Sequence, residues 1–355
     1  MNLLPEASPE ILAAPERRLV LEATELKRTF SSGSRVRPVR VSAVDGVSLQ
    51  LHAGETLGVV GESGCGKSTL ARMLVGLERA DGGTLRYHGS DVTRGRARDR
   101  RQLRRGVQMI FQDPYTSLDP RMSIANIVAE PMTATRTGTV ASRRERVADL
   151  LSLVGLSPDM MERFPHQFSG GQRQRIGIAR ALALEPDVLV CDEPVSALDV
   201  SVQAQVVNLL SDLQARLGVA ILFIAHDLSV VRHIADQVAV MYLGRIAEVG
   251  DTERIYDTPS HPYTQALLSA SPADSRADRG RIARRRILSG EPPSPINPPP
   301  GCRFNPRCWL ATEECSLVAP SLRELKLELR PPSTLERRRV ACHHAENALD
   351  LDKTN

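Results

Sequence analysis

The chain has 355 residues, a formal net charge of +4, 41% hydrophobic and 25% charged side chains. That is room for two or three domains of about 150 residues, with the composition of a soluble globular protein. No apolar run approaches the roughly 18 residues of a spanning helix, which excludes a membrane-spanning subunit. The start, MNLLPEASPEILAAPERR, carries acids and prolines where a signal peptide has a basic start and an apolar centre. A cytoplasmic chain with at most peripheral membrane contact is expected.

Along the chain, LVLEATELKRTF and SAVDGVSLQLHAGETLGVV read as β-rich, with a hairpin loop at Ser31 to Arg40. An apolar strand from Thr56 to Val60 runs into a glycine loop. Leu70, Met73, Leu74 and Leu77 then recur at helical spacing until Asp81-Gly82-Gly83 ends the helix. Two arginine clusters, Arg94 to Arg105 and Arg279 to Arg286, lack interleaved aromatics for base stacking. They read as solvated faces, with anionic lipid headgroups as the second reading and nucleic acid as the least favoured. From Asp113 to about Phe168 the pattern is helical and less regular, as an inserted subdomain would be. Val188 to Cys191 is a buried strand ending in DEP, and Val202, Val206, Leu209, Leu210, Leu213 and Leu217 make one helix face closed by Gly218. VAILFIA, Val219 to Ala225, suits a buried parallel strand ending at His226. Strand and helix alternating in this way predict a parallel sheet with both faces covered. SGEPPSPINPPPG, Ser289 to Gly301, permits neither helix nor central strand and leads to a separate C-terminal unit.

The glycine loop carries the first chemistry. Gly61-Glu62-Ser63-Gly64-Cys65-Gly66-Lys67-Ser68-Thr69 fits the full P-loop pattern. Its glycines let backbone N–H groups wrap phosphate oxygens, and a helix starting near Lys67 adds its positive end. Lys67 supplies a point charge, Ser68 a hydroxyl for Mg²⁺, and Cys65 a small filler. Asp192 and Glu193 follow an apolar strand, at the strand end where open α/β sheets bind ligands. Asp192 is suited to hold Mg²⁺ and Glu193 to take a proton from an attacking water. Ser169-Gly170-Gly171-Gln172 opens a helix with bared N–H groups, which makes a second anion-seeking loop. Gln112 and His226 taken singly are no more than a polar surface residue and a structural histidine.

The order of these motifs, with Gln112 after the P-loop, SALD at Ser196 to Asp199 and His226 last, resembles the nucleotide-binding subunit of ABC transporters. FQDPYTSLDPRMS, SALDVSVQAQVVNLL, HPYTQALLSA and GCRFNPRC are similar to the ATPase subunits of oligopeptide/dipeptide permeases. The resemblance implies an α/β P-loop NTPase with a parallel sheet core, an N-terminal antiparallel β subdomain, the inserted helices and a small cysteine-containing extension. The corresponding division is a tail over 1–18, an ATPase domain over 19–268 with helices at about 113–168, an extension over 269–345 and a tail over 346–355. It further implies that two such subunits pack head to tail, each P-loop facing the other's Ser169–Gln172, with ATP and Mg²⁺ between them. Phe30 would stack on adenine, Gln112 would sense Mg²⁺ and the water, His226 would hold the γ-phosphate, and Asp199 would tune communication across the dimer. Phe168 replaces the leucine of many relatives.

The implied partners are a second ATPase subunit, a paralogue in this branch, two membrane permease subunits and, indirectly, an extracytoplasmic solute-binding protein; no nucleic acid is among them. The implied place is the cytoplasmic face of the cell membrane, and the implied task is import of di- or oligopeptides, or of nickel, glutathione or another small polar solute. A soluble non-transport ATPase is the remaining alternative. It is disfavoured because the chain shows neither a second cassette nor a long coiled-coil insertion.

Cys302, Cys308 and Cys315, spaced C-x5-C-x6-C, with Cys342 further on, sit in a core-poor unit. Disulfides are not expected in the cytoplasm. The count of four suits an iron–sulfur cluster, and in the permease branch a similar set can hold [4Fe-4S]. Zinc, which prefers closer spacing, free thiols in a packing role, and a mixed site with His343 and His344 stay open.

Overall fold

The structure, a computed structural model, describes residues 17–34, 37–113, 115–270, 291, 293–325 and 338–350. Strands β1 (Leu19–Ser34) and β2 (Arg37–His52) form a long antiparallel pair. Strand pairing continues through Ser31 and Arg40 out to Ser34 and Arg37, so most of the expected ten-residue loop is strand. Next come β3 (Thr56–Val60) and α1 (Lys67–Leu74). The helix stops earlier than its apolar spacing suggested. Gly76 turns left-handed at φ 73° and Leu77 is 62% exposed, so the last leucine of the pattern belongs to no helical face. Gly82 and Gly83 instead open β4 (Gly82–Tyr87), which joins β5 (Ser90–Asp91) and completes the first sheet in the order β2-β1-β4-β5.

The arginine-rich stretch forms α2 (Ala97–Gly106), with Leu103 buried and its arginines exposed, as a solvated face requires. The second cluster, Arg279 to Arg286, lies outside the described residues. After β6 (Val107–Ile110), the stretch expected to be helical contains α3 (Ile124–Ala134), α4 (Val140–Leu153) and two short 3-10 turns. Then follow α5 (Gly170–Leu182), β7 (Val188–Asp192), α6 (Val200–Leu217), β8 (Ala220–Ala225), α7 (Leu228–Arg232), β9 (Gln237–Tyr242) and β10 (Arg245–Asp251). Gly218, at φ 67°, caps α6 as its position predicts. Leu243 and Gly244, at φ 42° and 84°, form the two-residue turn between β9 and β10.

The second sheet is parallel where it matters for function. β9, β3, β8, β7 and β6 run side by side in that order, all parallel. Alternate residues feed separate cores. Leu57, Val59, Val190, Leu222 and Ile224 pack on the side of the first sheet and α1; Val60, Leu189, Cys191, Phe223 and Ala225 pack against α5 and α6. Burial on both faces is why these strands read as unbroken apolar runs. Among the described residues no helix is long and apolar enough to cross a membrane.

The chain then passes through α8 (Thr252–Asp257) and α9 (Pro262–Ala270). The described part of the proline-rich segment forms neither helix nor strand. The C-terminal unit adds α10 (Glu313–Leu317), β11 (Arg323–Glu324), β12 (Arg339–Val340) and α11 (Ala345–Asp350). β12 pairs with β10, so this unit extends the second sheet. Behind that edge Glu248, fully buried, accepts from Arg338 at 2.7 Å and from the backbone N–H groups of Ser260 and His261 at 2.8 and 2.9 Å. A buried carboxylate survives only with this degree of pairing.

Burial lowers the pKa of His261 from 6.5 to about 4, and its Nδ1 accepts the Tyr263 N–H at 3.0 Å. The folded chain keeps this imidazole neutral while the unfolded chain protonates it below 6.5. Stability should therefore fall as pH drops from 6.5 toward 4, by up to about 3 kcal/mol from this group. Urea titrations across that range should show a slope that flattens in His261→Asn, even if that variant starts lower.

Candidate functional site

The site lies where β3, β7 and β8 end. Register pairs Val60 with Ala225 and Asp192 with Ile224, which brings the P-loop, Asp192-Glu193 and His226 to one edge. The loop wraps a cavity of about 330 Å³ lined by Ser63 to Thr69, Gln112, Glu193 and Val41 to Ala43, among others. Gly66 sits at φ 108°, and a Cβ there would collide with the Ala43 carbonyl oxygen. Only glycine permits that approach. Cys65 is buried and its thiol is pushed up by burial, which fits a filler and removes the thiolate a redox role needs.

Lys67 opens α1 with its side chain 4% exposed; its Nζ donates to the carbonyls of Gly61 at 2.8 Å and Glu62 at 3.1 Å. Ser68 Oγ donates to Asp192 Oδ1 at 3.0 Å. Burial, with Glu193 next door, raises the pKa of Asp192, and the Ser68 hydrogen bond partly offsets this. A hydroxyl and a carboxylate side by side are hard oxygen donors of the kind Mg²⁺ takes, so the donor set fits the ion. Glu193 is the hub. Gln112 Nε2 donates to its Oε2 at 2.9 Å, His226 Nδ1 stands 3.8 Å from the same oxygen, and Lys67 Nζ is 4.0 Å from Oε1. Its backbone is left-handed at φ 47°, a conformation costly for a non-glycine residue, and its N–H is fixed to the Ile224 carbonyl at 3.0 Å.

Ser169, Gly170, Gly171 and Gln172 do not line this cavity, nor do Phe30, Asp199 or His226. Ser169 caps α5: its Oγ accepts the Gln172 N–H at 3.3 Å, and Gln172 Oε1 accepts the Ser169 N–H at 3.1 Å. This reciprocal cap uses the acceptor side of the serine hydroxyl and leaves its proton free to be donated. Phe168 is buried, where an apolar leucine would serve equally. Phe30 is 38% exposed, lies opposite Val41 at the cavity rim, and carries the Arg28 guanidinium 4.7 Å from its ring centre. Asp199 precedes α6 and makes no side-chain cap.

Besides Val41 to Ala43, further contributors escaped the sequence reading. Leu243 and Gly244 of the β9–β10 turn and Pro295 of the proline-rich segment line the cavity, and Arg307 reaches the P-loop from the C-terminal unit. HPY and GCRFNPRC marked the right segments, but nothing in their spacing said where they would dock.

The four C-terminal cysteines come into one neighbourhood. Cys342 is raised to about 12 by burial first, with Cys308, Cys302 and Cys315 adding to it, and Cys308 is raised to about 11. Yet among the described residues no group of three or more His, Cys, Asp or Glu side chains is placed to hold a metal ion. Neither the iron–sulfur cluster expected from the count of four nor zinc is supported by this arrangement. Cys342 Sγ instead accepts the His344 N–H at 3.4 Å, Cys315 Sγ lies 3.6 Å from Thr312 Oγ1, and Cys315 and Cys342 are buried, as packing thiols are.

Residues 44–196 match the family described as ABC transporter, and residues 247–315 match the one described as oligopeptide/dipeptide transporter, C-terminal region. The dipeptide transport ATP-binding protein DppF of Haemophilus influenzae is 52% identical over 87% of this chain and 94% of its own length. The oligopeptide transport ATP-binding protein OppF of Salmonella typhimurium is 51% identical over 86% and 93%. Among solved structures, the dimeric ATP-binding cassette MJ0796 in a post-hydrolysis state with ADP and Pi aligns at TM-score 0.58 and 25% identity, over 65% of this chain and 98% of that one. CbiO1 of Clostridium perfringens aligns at 0.59 and 28%, over 67% and 91%.

Substituting Gly66 with alanine should abolish ligand stabilisation. At a hundredfold excess over Kd, MgATP should stabilise the wild-type chain by about 2.7 kcal/mol. Differential scanning fluorimetry with and without MgATP should find that increment missing in Gly66→Ala, with the apo transition still cooperative.

Proposed function

Because this chain belongs to the ATP-binding subunits of ABC transporters of the oligopeptide/dipeptide type, we propose that it hydrolyses MgATP to drive import of di- or oligopeptides through separate permease subunits. The observation that carries the chemistry is the convergence of Gln112, His226 and Lys67 on the Glu193 carboxylate.

In this reading the N–H groups of Gly64 to Thr69 and the Lys67 ammonium bind the β- and γ-phosphates, and Phe30 stacks on the adenine. Ser68, Asp192 and Gln112 are the residues that would hold Mg²⁺, which would neutralise charge on the phosphate oxygens. Glu193 takes the proton of the attacking water, whose oxygen bonds to the γ-phosphorus as the bond to the leaving ADP oxygen breaks. Gln112 fixes the carboxylate's angle, and His226, its side chain 58% exposed, is free to donate to the γ-phosphate from the rim. Supplying Ser169–Gln172 from a second ATPase subunit would close the cavity from outside. That supports a head-to-tail pair with Asp199 beside the seam.

A groove of about 650 Å³ lies between the α3 side and the sheet, lined among others by Phe111, Glu130, Pro131 and Arg180. It supports docking of a permease segment beside Gln112. With no membrane-crossing helix among the described residues, the chain would act as a peripheral subunit on the cytoplasmic face of the membrane. We assign residues 19–268 to the ATPase domain and 269–345 to the extension.

Glu193→Gln should lower turnover by about 10²- to 10⁴-fold, the usual worth of a positioned general base, while MgATP still binds; unchanged steady-state phosphate release would refute the assignment. Phe30→Ala should weaken ATP binding by about 1–3 kcal/mol, the worth of one base stacked on an aromatic ring. Phe30→Trp should restore affinity, both read by titration with a fluorescent nucleotide.

A further inference from the structure

Glu62 is the second residue of the P-loop and is held on three sides. Its backbone N–H donates to the Tyr263 hydroxyl at 2.9 Å, its carbonyl accepts Lys67 Nζ at 3.1 Å, and both carboxylate oxygens accept Arg307 Nη1 at 3.1 Å. Two of the three holders come from the far end of the chain. Tyr263 belongs to α9; Arg307 follows Phe304 in GCRFNPRC, 245 residues from its partner. Arg307 is 9% exposed and also donates to the Tyr242 hydroxyl at 3.3 Å. The rings of Tyr242, Tyr263 and Phe304 pack with centroids 4.5 to 5.4 Å apart, so the tyrosine hydroxyls are fixed by an apolar wedge. Arg303, one turn earlier, bonds the Leu243 carbonyl and the Asp45 carboxylate, and Leu243 lines the same cavity.

A guanidinium withdrawn from water at a glycine-rich loop is expensive unless its partner stays in place. The glycines give the loop freedom that phosphate binding must remove, and the Glu62 carbonyl is one of the two that hold the Lys67 ammonium. A brace on Glu62 therefore sets where that ammonium and the neighbouring N–H groups point before nucleotide arrives.

We propose that Arg307 and Tyr263 are positioning residues of the ATPase: both clamp Glu62, Tyr263 from α9 and Arg307 from the C-terminal unit, so that the phosphate-binding geometry of the P-loop depends in part on that unit. This rests on the reading of the cavity as the ATP site. Neither residue touches the reacting atoms, so the loss on mutation falls on nucleotide affinity more than on the chemical step.

The full chain, with MgATP as the probe, tests this through KM and kcat. Arg307→Ala and Tyr263→Phe should each raise KM about tenfold, the worth of a charge-assisted or well-buried hydrogen bond, with kcat changed less than about threefold. Arg307→Lys should fall between wild type and Arg307→Ala, since an ammonium keeps the charge but is a compact donor on a different stem from the guanidinium. Glu62→Gln combined with Arg307→Ala should be no worse than the poorer single variant. Arg323→Ala, which breaks an ion pair with Glu346 in the same unit, should leave KM unchanged.

A KM that stays within about twofold in Arg307→Ala and Tyr263→Phe while the wild type hydrolyses MgATP overturns the brace alone. So does a lowered Tm with unchanged KM, or additive losses in the double variant. A wild-type chain without MgATP turnover strikes instead at the reading of the site.

Discussion

In β3, β8 and β7 the parallel ladders pair Val60 with Ala225 and Asp192 with Ile224, and from that register the whole site follows. Each of the three strands ends at the same edge, and each delivers a different function there: a phosphate cradle, a histidine and a carboxylate pair. A slip by one residue would exchange the two cores on either face of the sheet. Leu222 would then face α5 and α6, and Phe223 the first sheet. Because both cores are full, burial fixes the register. The catalytic edge is thus aligned by apolar packing well behind it.

At that edge the strain is local. Glu193 takes a left-handed backbone that a non-glycine residue avoids, and the cost is met by its neighbours: the N–H by Ile224, the side chain by Gln112. Strain of this kind persists where the surroundings over-determine it. The start of α5 is built differently. Ser169 and Gln172 cap each other at the start of α5, away from the P-loop cavity. The two loops do not meet within one chain. In the head-to-tail pair proposed above, a facing second subunit would bring them together.

The C-terminal unit is less detached than its proline-rich approach implies. β12 adds to the edge of the ATPase sheet, the buried Glu248–Arg338 pair locks behind it, and Arg303 and Arg307 reach the rim of the cavity. Its cysteines, which invited a metal by their number, gather without a ligand set being formed among the described residues. In a unit so closely fitted to the ATPase, buried thiols fill space as small apolar groups do.

Local order was legible in the sequence. The P-loop spacing, the apolar runs of β3, β7 and β8, the helix start behind Ser169 and the Gly218 stop each depend on residues within a few positions of one another, where helical period, strand period and glycine freedom leave a pattern. Where two local patterns competed, the reading slipped: Leu77 extended the helical period of α1, but Gly76 had already ended it. Gln112 and His226 stayed mute as single residues and gained meaning only through family resemblance. What the tertiary structure alone decided was which distant groups meet. Gln112 lies 81 residues from Glu193, and Arg307 lies 245 from Glu62. No periodicity spans such intervals, because the strand order that closes them is settled by packing the whole sheet at once.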